Sequence, residues 1–174
     1  MTNDSEVVLR DVRDDDLAIF FEQQLDPEAN HMAAFTASDP TDREAFTAHW
    51  ARVRADETVT LRTILYQGQV AGNIASFSDF GEPEVGYWIG KAFWGKGIAT
   101  RALAAFLCQI TVRPLYAHIA KDNLASLRVL QKCGFVLTGE DKEYASARGQ
   151  EVEEYVLTLA ASASDGNETN TKES

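Results

Sequence analysis

The sequence lacks the features that place a chain in a membrane or mark it for secretion. No apolar run approaches the roughly 20 residues that a bilayer-spanning helix requires. The first ten residues, MTNDSEVVLR, do not set a basic segment before an apolar one, so they show no secretory signal pattern. We therefore expect a cytoplasmic protein with no membrane partner.

Cysteine is scarce as well. Cys108 and Cys133 are the two cysteines of the chain, and neither belongs to a C-x-x-C pair or a Cys/His cluster. Both lie among apolar residues with a helical pattern, which is typical of buried, reduced thiols. The sequence therefore predicts no metal site.

Positive charge is in short supply over the whole chain. There are 16 Lys and Arg residues against 27 Asp and Glu residues, and the formal net charge is -11. A general nucleic-acid surface would be basic, so we expect no nucleic-acid partner. Residues 91–132 are the exception, because they hold seven basic residues and one acidic residue. This segment has the charge to bind an anion, although a solvated helix face would carry similar residues.

The length and the residue patterns predict one domain of α+β (α/β layered) class. The single domain is expected over 1–160, and the small, polar stretch 161–174 is expected to be a disordered tail. The order β α α β β β α β α β β predicts a mixed, mostly antiparallel sheet of six or seven strands with helices on both faces. Helices are predicted over 14–25, 41–55, 98–110 and 123–133, and strands over 6–10, 58–67, 70–80, 84–90, 115–121, 135–145 and 151–159.

Two local patterns make these predictions more specific. Gln67, Gly68 and Gln69 separate two alternating runs, which indicates an antiparallel hairpin with a tight glycine turn. Thr41 and Glu44 have the spacing of a capping box at the start of the helix 41–55.

The stretch WGKGIAT, residues 94–100, joins a predicted strand to a predicted helix. The first turn of a helix has unpaired N–H groups and the positive end of the dipole, so it suits a phosphate. Gly95 and Gly97 would let a pyrophosphate approach the backbone closely. The stretch does not match the Walker A pattern G-x-x-x-x-G-K-[ST]. It also departs from the dinucleotide pattern G-x-G-x-x-G, because Thr100 takes the place of the third glycine.

The same stretch resembles the [QR]-x-x-G-x-[GA] signature of the GNAT superfamily of acetyl-CoA-dependent N-acetyltransferases. Gly97 and Ala99 take the two small positions. Trp94 takes the Gln/Arg position, which departs from the general pattern but resembles the ribosomal-protein-alanine N-acetyltransferase branch. The segment NLASLRVLQKCGF, residues 123–135, is similar to the N-x-x-S-x-x-[VL]-[LY]-x-K-x-G-F segment of that branch. The resemblance is specific over 84–135.

This resemblance implies acetyl-CoA as the cosubstrate, with no metal, and direct attack by an amine in a ternary complex. Backbone N–H groups of the glycine stretch would bind the pyrophosphate, and the end of the strand GYWIG would pair with the pantetheine arm. That strand would splay from the next one, with Gly86 forming a bulge that opens the splay. The coenzyme-binding residues implied are Trp88, Ile89, Gly95, Lys96, Gly97, Ile98, Ala99, Thr100, Asn123 and Ser126.

Three residues are candidates for proton transfer. Glu84 opens the central strand and is the candidate general base, directly or through a water, although it could equally be a surface carboxylate. His118 on the following strand is the second candidate. Many superfamily members carry a tyrosine at the position of Leu130 to protonate the leaving thiolate. Ser126 is the candidate for that role here, with solvent as the alternative.

The amine acceptor is the least determined part of the prediction. By family analogy, His31, Met32 and Phe35 would line an amine pocket, or they could instead cap the core. The negative remainder of the surface suits a cationic acceptor, either a protein N-terminal α-amine or a small-molecule amine. A non-catalytic acyl-CoA-binding sensor and a dinucleotide-dependent oxidoreductase are the alternatives, and the protein could be a monomer or a homodimer.

Overall fold

The computed structural model describes residues 6–161, which form one seven-stranded mixed sheet with helices on both faces. The elements are β1 (Val7–Arg10), α1 (Asp14–Gln24), α2 (Pro27–Ala33), α3 (Arg43–Ala55), β2 (Thr60–Tyr66), β3 (Gln69–Asp79), β4 (Glu82–Ile89), a 3-10 turn (Lys91–Phe93), α4 (Ile98–Gln109), β5 (Leu115–Ala120), α5 (Leu124–Lys132), β6 (Val136–Ala145) and β7 (Gln150–Leu159). The predicted fold class is confirmed. The predicted tail beyond 161 lies outside the described residues, and the single domain over 1–160 stays a prediction.

The strands follow the order β1-β2-β3-β4-β5-β7-β6. Every neighbouring pair is antiparallel except β4 and β5, which are parallel. A dinucleotide-binding sheet would be mostly parallel, with β-α-β units that join parallel strands. The oxidoreductase alternative, which required an uninterrupted parallel sheet, is therefore wrong.

The sheet opens between β4 and β5. Their only register pair is Glu84 with Tyr116, whereas β5 pairs with β7 at six positions. Backbone groups of β4 beyond Glu84 therefore have no strand partner on the β5 side, and the predicted splay is confirmed.

The proposed bulge at Gly86 is wrong for the pairing of β3 with β4. Their register runs without a shift, with Gly86 opposite Ala75. A Cβ at Gly86 would meet only the Phe77 ring at an ordinary 3.6 Å. The splay therefore arises without an extra residue in this pair, and Gly86 is not required for it.

Two separate apolar clusters hold the helices on the sheet. One face packs against α4, whose residues Ile98, Ala102, Leu103 and Phe106 are buried at helical spacing. The other face packs against α1 and α3 through Phe20, Phe21, Phe46 and Trp50. Alternation along the strands produces the two faces, because neighbouring side chains point in opposite directions.

Three local predictions need correction and one is confirmed. The helix α2 was not predicted; its N-cap, Asp26, accepts a hydrogen bond from Ala29 N–H at 2.8 Å. The N-cap of α3 is Asp42 and not Thr41, so the Thr41–Glu44 capping box does not form. Cys108 is exposed, because it lies on the outer face of α4. The hairpin turn is confirmed, and both Gln67 and Gly68 have positive φ.

Over residues 6–161, no helix is both long and apolar enough to cross a bilayer.

Candidate active site and coenzyme cleft

A cavity of about 1130 Å³ lies where β4 and β5 part. Its wall includes most of the residues that the sequence singled out, from α2, β4, the start of α4, β5 and α5. The sequence-predicted residues in this wall are Met32, Phe35, Glu84, Trp88, Ile89, Gly95, Gly97, Ile98, Ala99, Thr100, His118, Asn123 and Ser126.

Two predicted residues lie elsewhere. His31 is not part of the cavity wall; its backbone carbonyl accepts a hydrogen bond from Arg148 Nε at 2.9 Å. Lys96 is also absent from the wall, although both neighbouring glycines belong to it. The expected lining by His31 is therefore wrong, and Lys96 can contribute through its backbone.

The glycine loop, residues 94–97, forms an open cradle at one end of the cavity. Gly95 and Gly97 have φ of 76° and 72°, a left-handed conformation that residues with a Cβ rarely adopt. No atom lies within 4 Å of the place where a Cβ would stand at either glycine. Gly97 is the N-cap of α4 and provides no side-chain cap, so the first N–H groups of the helix face open space.

Two side chains brace the glycine loop. The Trp94 indole Nε1 donates a hydrogen bond to the carbonyl of Ile89 at 2.9 Å, which ties the loop to the end of β4. The Arg101 guanidinium donates to the Lys96 carbonyl at 2.7 Å from the first turn of α4. Sequence reasoning missed this role of Arg101, because nothing local shows which carbonyl a basic side chain will reach.

Ion pairs neutralise part of the basic charge of residues 91–132. Lys91 pairs with Glu28 at 2.6 Å, and Lys121 pairs with Glu140 at 3.1 Å. Of the seven basic side chains, Arg128 and Lys132 on α5 are the two in the cavity wall. The positive charge available near the glycine loop is therefore smaller than the seven basic residues of this segment suggest.

The other end of the cavity contains three titratable side chains joined through His118, which we call the acid–base cluster: Glu84 on β4, His118 on β5 and Glu154 on β7. His118 Nε2 lies 2.7 Å from Glu84 Oε1, and His118 Nδ1 lies 2.9 Å from Glu154 Oε1. Strand register brings them together, because Glu84 pairs with Tyr116, two residues before His118, and Glu154 pairs with Ala120, two residues after it.

Burial controls the protonation of this cluster. Glu84 is 7% exposed and Glu154 is 1% exposed. Burial raises the pKa of Glu84 to about 6 against the attraction of His118. Burial also raises the pKa of Glu154. Burial alone would lower the pKa of His118, but the Glu154 hydrogen bond and the charges of both carboxylates outweigh it and raise that pKa.

The cluster joins two residues that the sequence left as alternatives. Glu84 and His118 are in contact and can act as one unit. Glu154 was missed, although it shares parity with Val152 and Val156, which are both partly buried. A glutamate among apolar residues of the same parity is the available signal, but only the strand register shows that it meets His118.

The start of α5 lies at the middle of the cavity. Asn123 caps the helix by accepting from Ser126 N–H at 3.3 Å, and it also donates to the Met32 carbonyl at 3.2 Å. The N-cap prediction is confirmed. Leu130, at the position where a tyrosine is common in the resembled family, is 1% exposed within the core.

A tyrosine from another element lies in the same wall. Tyr87 on β4 has a buried hydroxyl with no hydrogen bond of normal geometry. Burial raises the pKa of Tyr87 to about 12, and the Ser126 hydroxyl acts in the opposite direction. Tyr87 therefore stays protonated at neutral pH, and Ser126 is close enough to influence it.

Buried polar atoms without partners concentrate at this cavity. Within residues 6–161 there are five such side-chain atoms, and four of them belong to residues of the cavity wall: Thr36 Oγ1, Tyr87 Oη, Trp88 Nε1 and Glu154 Oε2. Unpaired buried polar groups are costly, so they commonly mark a place where a ligand supplies partners. Together with the open glycine cradle, they fit a ligand that carries phosphates at one end and amides along its length.

Comparison with known proteins agrees with this geometry. The family model described as "Acetyltransferase (GNAT) domain" matches residues 6–136. The chain is 30% identical over 115 residues to the Bacillus subtilis (strain 168) protein named "Putative ribosomal N-acetyltransferase YdaF", which is 62% of each chain. It is 26% identical over 83 residues to "Uncharacterized N-acetyltransferase p20" of Bacillus licheniformis, or 45% of this chain and 47% of that protein. The chain thus spans less than two thirds of the length of these curated relatives.

Solved structures are similar over most of the chain. Mycobacterium smegmatis RimJ in complex with CoA-disulfide has a TM-score of 0.74 at 26% identity, covering 89% of this chain and 82% of RimJ. Vibrio cholerae spermidine N-acetyltransferase, solved with CoA and spermine, has a TM-score of 0.76 at 17% identity, covering 88% and 95%. The second likeness shows the fold alone.

Proposed function

The chain belongs to the GNAT acetyltransferase domain family, and we propose that it transfers the acetyl group of acetyl-CoA to a cationic primary amine. The observation that carries this proposal is one cavity with the glycine cradle at one end and the acid–base cluster at the other. The similar structure of RimJ, solved in complex with CoA-disulfide, supports the choice of cosubstrate.

The coenzyme would lie along the opening between β4 and β5. Its pyrophosphate would receive hydrogen bonds from backbone N–H groups of residues 95–99, and Thr100 would add its hydroxyl. Arg128 and Lys132 would offset part of the phosphate charge from α5. The backbone of β4 on the side that faces the opening, around Trp88 and Ile89, would bind the amides of the pantetheine arm.

The acid–base cluster would prepare the acceptor. An α-amine with a pKa of about 7.8, or a lysine-like amine with a pKa of about 10.4, is mostly protonated at neutral pH and cannot attack. Glu84, with a pKa of about 6, is ionised at that pH and can take a proton from the ammonium group. The neutral nitrogen then forms a bond to the acetyl carbonyl carbon.

The leaving sulfur would receive its proton from the start of α5. Acetyl-CoA supplies an activated acetyl thioester, and breaking the C–S bond leaves the electron pair on sulfur. The Ser126 hydroxyl can donate a proton there, and Tyr87 lies in the same wall as a protonated group near Ser126. A thiol with a pKa of about 8.5 needs only modest help to leave, so we expect a smaller contribution here than from Glu84.

The acceptor end of the cavity is strongly acidic, which supports a cationic acceptor. Its wall includes carboxylates from three elements besides the acid–base cluster: Asp79 on β3, Glu82 on β4, and Asp141 and Glu143 on β6. None of these four pairs with a cation within residues 6–161. Met32 and Phe35 supply the apolar wall on the α2 side. A protein N-terminal α-amine and a small polyamine both have the charge that this end would attract.

Thiol release from acetyl-CoA tests the proposal. The purified chain is incubated with acetyl-CoA and a panel of basic N-terminal peptides, diamines, polyamines and neutral amines, and free thiol is measured. We expect release with a cationic member of the panel and matching acetylated product by mass spectrometry. Binding of acetyl-CoA by calorimetry without release from any member would contradict catalysis and favour the non-catalytic sensor. No binding would contradict both.

A further inference from the structure

Glu154 is the most deeply buried member of the acid–base cluster, and nothing in the expected reaction requires it to touch a substrate. Its side chain is 2% exposed, compared with 10% for Glu84 and 29% for His118. One carboxylate oxygen contacts His118 Nδ1 at 2.9 Å, and the other has no hydrogen-bond partner within residues 6–161. Burying a carboxylate in this way costs free energy unless its one partner, His118 Nδ1, keeps a proton and donates it in a hydrogen bond.

The geometry around His118 leaves few arrangements of protons. Each imidazole nitrogen faces a carboxylate oxygen, and a nitrogen without hydrogen would repel that oxygen. A neutral imidazole carries one N–H and satisfies one of the two contacts, and the other contact is satisfied while Glu84 holds a proton. In the part of the chain that the structure describes, Glu154 has no other donor, whereas Glu84 faces the cavity and can receive a proton from the acceptor ammonium.

We propose that Glu154 is a positioning residue that keeps the proton of neutral His118 on Nδ1, so that Nε2 can accept a proton from Glu84. This inference rests on the proposed function and extends it to the path of the proton. Glu154 plays this part through His118 and takes no proton from the reacting atoms.

The proton balance of the reaction gives such a path a purpose. Converting an ammonium group to an amide removes two protons from nitrogen, and one of them ends on the coenzyme thiol. The other must leave the site. Glu84 takes the first proton from the ammonium and passes it to His118 Nε2, which forms an imidazolium between two carboxylates. The ionised Glu84 then takes the second proton from nitrogen, and exchange through solvent returns this proton to the Ser126 hydroxyl, which has given its own to sulfur. Partly exposed His118 returns the first proton to solvent.

The charged groups around His118 act in one direction. Glu84 on β4, Glu154 on β7 and Glu143 on β6 all raise the pKa of His118. Asp79 on β3 and Glu143 raise that of Glu84, as does Glu154. Lys142 on β6 is a cation in the same wall, and its two neighbours in the sequence are the acidic residues Asp141 and Glu143. Removing the charge of Glu154 should therefore lower both the His118 and the Glu84 pKa.

The tautomer of His118 in the unmodified protein is the direct test. The chain has three histidines, so long-range ¹H–¹⁵N NMR spectra can be assigned with His31→Gln and His49→Gln variants. Above the pKa of His118, we expect a protonated Nδ1 and an unprotonated Nε2. A protonated Nε2 would overturn the proposal. This measurement uses the free protein and needs no acetyl transfer.

A matched pair of variants tests the consequence. Glu154→Gln keeps the shape of the side chain and removes its charge, and Glu151→Gln removes the same charge from an exposed position on the same strand. We expect Glu154→Gln to lower the NMR pKa of His118, to move the acid limb of kcat/KM to lower pH and to reduce kcat about tenfold. The Kd for acetyl-CoA should change less than twofold, and Glu151→Gln should change none of these quantities.

The outcomes separate the inference from the proposed function. An unchanged His118 pKa and pH profile in folded Glu154→Gln would overturn the role of Glu154 even if the enzyme is active. The expected tautomer together with no thiol release would overturn the acetyl transfer and hence the relay. If Glu154→Gln does not fold, the tautomer in the unmodified protein still decides.

Discussion

The two ends of the cavity are built in different ways. The coenzyme end consists mainly of backbone: two left-handed glycines, unpaired N–H groups of α4 and the open edge of β4. The acceptor end consists of side chains that three strands bring together, with Glu84, His118 and Glu154 in contact. A site made of backbone depends on a short run of sequence. A site made of side chains depends on strand register, so a change at each end should affect a different step of the reaction.

Gly97→Glu should have the largest effect, because it attacks the backbone end. The new side chain would strain a left-handed position and place a negative charge where the pyrophosphate binds. We expect no measurable binding of acetyl-CoA by calorimetry and no activity. Gly68→Glu is the matched control, since Gly68 has a φ of 75°, has open space around it and lies outside the cavity wall. Equal loss of binding in both variants would point to folding and not to the cradle.

Glu84→Gln should leave the coenzyme end intact and slow the reaction at the other end. We expect kcat to fall about 100-fold or more while the Kd for acetyl-CoA stays within twofold. In the unmodified protein, kcat/KM should rise as pH passes about 6, because Glu84 must be ionised to accept a proton. The variant should lose this limb in a pH–rate profile. The prediction fails if both the rate and the profile are unchanged.

Trp94→Phe should weaken the coenzyme end without removing its backbone groups. The substitution keeps the aromatic ring and deletes the N–H that holds the glycine loop to the Ile89 carbonyl. Loss of one hydrogen bond of about 1 kcal/mol corresponds to an increase of about fivefold in the Kd for acetyl-CoA. At saturating acetyl-CoA, the rate should equal that of the unmodified protein. A fall in kcat that saturation does not restore would show that Trp94 also affects the acceptor end.

Glu143→Gln should have the smallest effect, and mainly on the binding of the acceptor. Glu143 lies in the acidic wall without a salt-bridge partner and raises the pKa of Glu84 from a distance. We expect KM for a dicationic amine to rise about two- to fivefold at low salt and the difference to shrink at high salt. KM for a monocationic amine should change less. The same change for both amines would argue against recognition of a second charge.

The sequence predicted the coenzyme end more fully than the acceptor end, because the backbone site follows from a short run of sequence and the side-chain site follows from strand register. The positions of Gly95 and Gly97 and the start of α4 follow from local pattern, and so does the hairpin at Gln67 and Gly68. Glu84 and His118 were found as separate candidates, but their contact, and the presence of Glu154, follow from pairings between residues more than 30 positions apart. No local signal carries that information.

The errors also have local physical causes. The helix α2 is only seven residues long and depends on the Asp26 cap and on packing, which a periodicity argument over so short a stretch does not detect. Thr41 and Asp42 are both good N-cap residues, and the helix begins after Asp42 while Thr41 bonds to Asp39 instead. Cys108 lies in an apolar stretch of α4, but its position falls on the outer face of the helix.

Because β4 and β5 share a single register pair, the remaining backbone groups along the opening are available to another molecule. A pantetheine arm bound there would act as a short eighth strand, with hydrogen bonds that connect the two halves of the sheet. Binding of the coenzyme should then slow hydrogen exchange of amides on β4 and raise the melting temperature, because the bound protein has a more continuous sheet.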